Sequence, residues 1–177
     1  QRHPHALVSI PTGHASGVVV LDIDRGGETA FKEMLAKLQF ETIDDLSPCW
    51  ARTPGAGLHV YFQFEPGTSP RTRSSDIAAR IDTRALGGSI IIPGNVRQNG
   101  RAYEWGNTSG SLHEAPTMPR RLLYLMTFNA RERDLIASTP TLLSQMKDAP
   151  ATEWHDLLQQ WRCHEAWFFI FKRREDR

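Results

Sequence analysis

Residues 17–24 read GVVVLDID, and the fold turns on how this stretch is read. Val18, Val19, Val20 and Leu21 form a short, β-branched apolar run, which predicts a strand buried on both faces. The run ends in two carboxylates one residue apart, so a buried strand delivers acids to the edge of a sheet. Side chains alternate along a strand, which puts Asp22 and Asp24 on one face with α-carbons about 7 Å apart. Two such acids repel each other unless a cation, a basic partner or a raised pKa relieves them, and hard oxygen ligands suit Mg²⁺ or Mn²⁺. The competing reading is a turn or helix cap, because Arg25-Gly26-Gly27 follows at once.

The flanking sequence supplies the partners of this strand. Upstream, Ala6–Ile10 reads as a short strand closed by a turn at Pro11-Thr12-Gly13. A strand so close to residue 1 suggests that an earlier part of the natural domain is absent. Downstream, Phe31, Met34, Leu35 and Leu38 fall at helical spacing and predict an amphipathic helix over 28–40. Asp44 and Asp45 sit beside Ser47-Pro48, where the turn reading outweighs a metal reading. CWART, residues 49–53, is a further short strand, and Pro54-Gly55-Ala56-Gly57 turns the chain into Leu58–Phe64. There Leu58, Val60, Phe62 and Phe64 share one face, so His59 projects from the other, where it can reach a bound anion. A lone histidine in that position is also an ordinary locally bonded residue.

EPGTSPRTRSS, residues 65–75, reads as a loop. Its Arg71 and Arg73, with Arg80, Arg84, Arg97 and Arg101, make a locally basic tract that can follow a phosphate backbone or clamp a triphosphate, or else form a solvated face. Ile81-Asp82-Thr83-Arg84 brings a third acid on another extended segment, with Asp82 and Arg84 on one side. Gly87-Gly88 then leads into the strand Ser89–Ile92, and Asn99-Gly100 marks a tight turn before RAYEW, so this half reads as an antiparallel meander or hairpin set. From Pro119 the pattern becomes helical: Leu122, Leu123, Leu125 and Met126 mark one helix, 135–146 a pair broken near Pro140, and Trp154 to Phe168 a last one. No chemical motif occurs in these helices.

Composition sets the outer bounds. The 177 residues suffice for one domain with a helical appendage, and a net charge of +1 gives no global push toward nucleic acid or membrane. Of the 21 basic residues 17 are arginine, the side chain whose planar fork matches phosphate and carboxylate. The two cysteines, Cys49 and Cys163, lack zinc-type spacing and fit a reducing cytoplasm. No apolar run approaches the length of a membrane span or a secretion signal.

The acid-x-acid strand end, the small-residue turn before a histidine strand and the aspartate opening a Gly-Gly strand form a set. In that order, SIPTGHASGVVVLDID, TPGAGLHVYF, IDTRALGGSIIIPGNVRQNGRAYEW and MPRRLL resemble the bifunctional DNA primase/polymerase (Prim-Pol) domain of the archaeo-eukaryotic primase superfamily, from Ala6 to Leu123. The resemblance implies that Asp22, Asp24 and Asp82 hold two divalent metals, Mg²⁺ or Mn²⁺, for nucleotidyl transfer. It also implies that His59 contacts the incoming nucleotide's phosphates. Two metals about 3.5–4 Å apart suit that chemistry, since they can activate a 3′-hydroxyl and stabilise departing pyrophosphate. Arg84 can add contacts to the nucleotide, although the resemblance assigns it no role. Template and primer would be held through their backbones, by Arg71, Arg73, Arg80, Arg97 and Arg101.

The expectation is therefore an α+β fold with a mixed or antiparallel, RRM-like catalytic core and packed helices over residues 1–128, and a helical C-terminal region over 129–177. Its expected function is primer synthesis or DNA polymerisation in a replication protein of a mobile element or phage. DNA template and primer, nucleotides and a helicase domain or protein would be its partners, and membrane would not. Family members usually have a further αβ segment before Ala6, nothing after about residue 130 resembles them, and no G-x-x-x-x-G-K-[ST] loop is present. Two rivals stand beside this reading. A glycosyltransferase also uses Asp-x-Asp after an apolar strand, but leaves His59 and Asp82 unexplained. A catalytically silent DNA-binding or assembly module would keep the fold without the chemistry.

Overall fold

The computed structural model describes residues 6–106 and 111–137. The chain divides into two compact units, residues 1–126 and 127–177, which are taken separately. The first is α+β. Its strands are β1 (Ser9–Pro11), β2 (Val18–Ile23), β3 (Trp50–Arg52), β4 (Leu58–Gln63), β5 (Arg73–Ala78), β6 (Ile81–Arg84), β7 (Ser89–Ile91) and β8 (Glu104–Trp105). Helix α1 (Glu28–Leu38) and the short α2 (Ile43–Leu46) lie between β2 and β3, and α3 (Arg120–Thr127) closes the unit. Six strands form one antiparallel sheet in the order β5-β6-β2-β4-β3-β8, and β1 pairs with β7 in a separate two-stranded ribbon.

The apolar run of residues 18–21 is the middle of the larger sheet, and its β-branched side chains are almost wholly buried on both faces. On one face lie Val19, Leu21, Ile23, Val60, Phe62 and Ile81, all at most 1 % exposed. Helix α1 buries Phe31, Met34, Leu35 and Leu38, the stripe its spacing predicts. The other face changes character along its length. At one end Val18, Val20, Cys49, Ala51 and Tyr61 pack with Ile10 and Ile90 of the β1–β7 ribbon and with Ala115. At the other end the same face carries Asp22, His59 and Asp82. The ribbon thus seals the apolar half of the face.

Local signals explain most of the connections. Thr42 and Asp45 form a capping box at α2, and Asp44 accepts a hydrogen bond from the Trp50 indole at 2.8 Å, so both acids of that pair serve structure. Gly57 has to be glycine: a Cβ there would stand 2.3 Å from the Ile23 carbonyl oxygen, where the β3–β4 turn crosses the end of β2. Asn99-Gly100 does make the expected tight turn, with Arg97 and Arg101 paired across it and Gly100 at φ 79°.

Three expectations need correction. The stretch 65–75 is a loop only as far as Thr72, because Arg73–Ser75 already belong to β5. Its hydroxyl-rich composition hides a strand whose pairing is irregular and whose Ser75 adopts φ 52°. Pro11 lies inside an edge strand, where its missing N–H costs nothing, and the turn falls at residues 13–17, closed by the Gly13–Val18 bridge. The segment after Asn99-Gly100 folds back on residues 94–97 as the expected hairpin, Val96 facing Ala102, and then continues into β8 beside β3. The helix expected from Leu135 begins earlier, at α4 (Ala130–Ala137) in the second unit. Asn129 and Glu132 exchange hydrogen bonds of 2.7 and 2.8 Å, a capping box that the sequence N-x-x-E carries in plain view. The helices expected beyond residue 137, and Cys163, lie outside the described residues.

Substituting Gly57→Ala should lower unfolding stability by roughly 1–3 kcal/mol, the usual cost of overpacking against backbone that cannot yield. Urea denaturation of the two chains measures it, and unchanged stability would show that the turn can retreat from β2.

Candidate active site

Antiparallel register puts three of the candidate side chains in one row across the sheet. Asp22 on β2 faces Asp82 on β6 on one side and His59 on β4 on the other. Residues directly opposite one another project from the same face, so the two carboxylates of separate strands meet without any loop to place them. Like charges so placed repel, and Arg84 answers the repulsion. It lies two residues from Asp82 on the same face of β6. Its Nη2 donates to Asp22 Oδ2 and to Asp82 Oδ2, 3.0 Å in each case, and its Nε donates to Asp22 Oδ2 at 3.2 Å.

Each acid has a second support. Asp82 accepts from the Ser74 hydroxyl at 3.0 Å and from the Ser75 amide at 2.9 Å. The left-handed backbone of Ser75, within the irregular stretch of β5, accompanies that amide contact. Asp22 Oδ1 lies 3.5 Å from His59 Nε2. Burial pushes the Asp22 carboxyl up, but the hydrogen bonds and charges of His59 and Arg84 outweigh it and hold the group below the usual carboxylate range. Asp24 is exposed and stands one residue beyond β2. Its carboxyl is pushed up by partial burial and by the negative charges of Asp22 and Asp82, against the weaker pull of Arg84 and Arg80.

His59 is buried, and its surroundings select a tautomer. Nε2 faces a carboxylate and is best protonated, which leaves Nδ1 to accept. The Tyr61 hydroxyl, 3.3 Å from Nδ1, is the group that can donate to it. Burial, then the charges of Cys49, Asp22 and Tyr103, push the Tyr61 phenol far up, so the hydroxyl keeps its proton. Tyr103 packs against the His59 ring with centroids 5.7 Å apart, and Arg97 lies over Tyr103, its Nη2 donating to the phenol oxygen at 2.9 Å. Tyr61, Ser74, Ser75 and Tyr103 are the members of this site that sequence reasoning missed. For Tyr61 a signal existed, since it shares the polar face of β4 with His59.

The basic tract is not one strip. Arg73 belongs to the β5 edge, in register with Thr83 and paired to Asp76 at 3.3 Å. Arg71 pairs in parallel with Leu86, and Arg80 occupies the β5–β6 turn at φ 59°, donating to the Arg25 carbonyl. Arg97 and Arg101 sit on the tight turn before β8, Arg101 donating to the Pro54 carbonyl at 3.4 Å. The six-stranded order places β5 and β8 at opposite edges, so the two groups of arginines lie toward opposite edges of the sheet, with Arg73, opposite Thr83, on the face away from Asp82.

A comparison with protein-family models matches residues 1–118 to the bifunctional DNA primase/polymerase N-terminal domain. The chain belongs to this family. Prim-Pol domains are nucleotidyltransferases that act on DNA and nucleotides and typically use divalent metals. The matched segment contains every residue of the row, together with both groups of arginines. No curated protein matches the chain. Among the described residues, no helix is long and apolar enough to cross a membrane.

Whether these residues fit a divalent ion can be judged from the donors themselves. Asp22 and Asp82 offer hard oxygens on one face, and their charge already requires a cation between them, a place filled by the Arg84 guanidinium. Among the described residues no three His, Cys, Asp or Glu side chains are gathered closely enough to hold a metal. A three-carboxylate site therefore requires Asp24 to turn inward and Arg84 to move out. The donor set fits in charge and hardness on those terms.

Tyr61→Phe should leave Nδ1 of His59 without its donor. Nitrogen NMR of the ring should then change from a single Nε2-protonated form to a tautomer mixture, and an unchanged spectrum would remove Tyr61 from the site.

Proposed function

We propose that the chain carries out DNA-templated nucleotidyl transfer, as a primase or polymerase domain of a replication protein. The observation that carries the reading is the register row His59–Asp22–Asp82 on one face of the sheet, inside the segment that matches the family. Asp22, Asp24 and Asp82 would hold the divalent ions, Mg²⁺ or Mn²⁺. Bound there, two such ions would supply activation of the attacking hydroxyl and charge stabilisation of the leaving pyrophosphate. His59, with its proton on Nε2, donates to a triphosphate oxygen, and Tyr61 fixes the ring so that this nitrogen faces the site. The guanidinium of Arg84, freed from the carboxylates, gives a planar pair of donors to the same phosphates. Arg71, Arg73, Arg80, Arg97 and Arg101, toward either edge of the sheet, contact template and primer through backbone phosphate.

The strand order supports an RRM-like core: β6, β2, β4 and β3 lie side by side, the first strand of the four being central and followed by α1. The β5–β6 hairpin stands where a second helix would be expected between the last two of those strands. In this reading residues 1–128 are the catalytic domain and 129–177 a helical extension, working in the cytoplasm with a helicase, in a mobile element or phage. The Arg84 bridge favours one alternative, a silent DNA-binding module whose acids are locked by their own arginine. Incubation with primed template, nucleotides and Mn²⁺ or Mg²⁺ separates the two, since only the enzyme extends the primer.

Two outcomes follow for the active protein. Asp22→Asn should cut kcat on the order of 100-fold or more by weakening a stabilisation worth several kcal/mol. His59→Ala should raise the nucleotide KM ~10-fold with a smaller change in kcat, as expected for a charge-assisted hydrogen bond made in ground and transition states alike. Steady-state kinetics in both variants checks the contrast, and equal kcat losses at unchanged KM would refute the division of labour. Binding to DNA should fall steeply with salt and vary little with sequence. Affinity measured across a salt series, on several unrelated sequences, tests that.

A further inference from the structure

We propose that Arg84 is an internal counter-cation that a divalent ion must displace, so that metal entry itself releases the guanidinium toward the triphosphate. The proposal deepens the functional reading and rests on Asp22 and Asp82 being metal ligands. One nitrogen, Nη2, is 3.0 Å from an oxygen of each carboxylate. A divalent ion held by the same two oxygens would sit about 2.0–2.2 Å from them for Mg²⁺, in space that this nitrogen fills. Both cations cannot be there together.

The supports around the acids decide which partner moves. Asp82 keeps its Ser74 and Ser75 donors whatever Arg84 does, and Asp22 projects from the buried central strand β2. Their carboxylates therefore stay aimed at the gap. The Arg84 side chain is 30 % exposed, against 14 % and 10 % for Asp22 and Asp82, and its route out leads to water. The guanidinium is thus the mobile member of the triad, and the carboxylates are the fixed ones. In exchange it finds a new anion close by, the phosphates that a metal-bound nucleotide brings. The acids remain charge-compensated at every stage, first by arginine and then by metal.

Mn²⁺ titration followed by the electron paramagnetic resonance of the free ion tests the exchange. Arg84→Gln removes the competitor and should tighten Mn²⁺ binding by ~10-fold, since a full charge a few ångströms from the ion opposes it in the native chain. Arg84→Lys, a point charge that cannot span both acids in the same way, should fall between. Asp22→Asn should abolish the binding and so tie it to this site. At saturating Mn²⁺, Arg84→Gln should bind nucleotide more weakly than the native chain. A second measurement needs no variant fold: the Arg84 Nε–H resonance of the native protein, bonded to Asp22, should move to the position of a solvated arginine on addition of Mg²⁺. If Mn²⁺ affinity is unchanged or weaker in Arg84→Gln, or the resonance stays in place as metal saturates, the exchange is overturned while the metal site stands. If neither the native chain nor any variant binds Mn²⁺, the metal reading itself is overturned, and the exchange with it.

Discussion

Two carboxylates face each other across adjacent strands at the middle of the sheet, and one guanidinium holds them there. Everything else about the site follows from that constraint. Register makes the encounter unavoidable, because a strand shifted by one residue would send Asp22 to the face covered in Val19, Leu21 and Ile23. The apolar run before Asp22 fixes the register by burial, so the same residues that drive folding also choose where the charge goes. Folding free energy from the valines is thereby spent on holding a repulsive pair in place.

The division of the sheet's site face into an apolar and a polar half explains how the pair survives in a small domain. The β1–β7 ribbon covers Val18, Val20 and Tyr61 and stops short of Asp22. The acids keep 14 % and 10 % of their side-chain surface exposed, while the apolar wall beside them strengthens each contact they make. Tyr61 sits on the border between the halves. Its ring belongs to the apolar cluster and its hydroxyl to His59.

Much of this was legible in the residues. Strand alternation placed His59 opposite the apolar face of β4, helical spacing picked out all four buried residues of α1, and acid-x-acid after a valine run marked the centre. What the sequence concealed has a common cause. Arg84 was recognisable as sharing a side with Asp82, but its bridge to Asp22 depends on the pairing of β6 with β2, a contact 62 residues apart in sequence. Ser74 and Ser75 hid in a hydroxyl-rich stretch whose local preference is for turns, and only tertiary pairing made it a strand. The dispersion of the arginines had the same origin, because proximity in sequence between Arg84 and Arg97 does not survive the return of the chain to the far edge of the sheet.

The six-stranded sheet ends in two poor templates. On one side β8 is two residues long, and on the other β5 accumulates five residue steps against two on β6, with Ser75 turned left-handed in between. A flat row of unpaired amides invites a strand from another molecule, and neither border provides one. The irregularity that carries the Ser75 amide to Asp82 therefore also guards the molecule against edge-to-edge aggregation. Straightening β5 by deleting residues would cost the site a support and expose the chain to self-association in the same stroke.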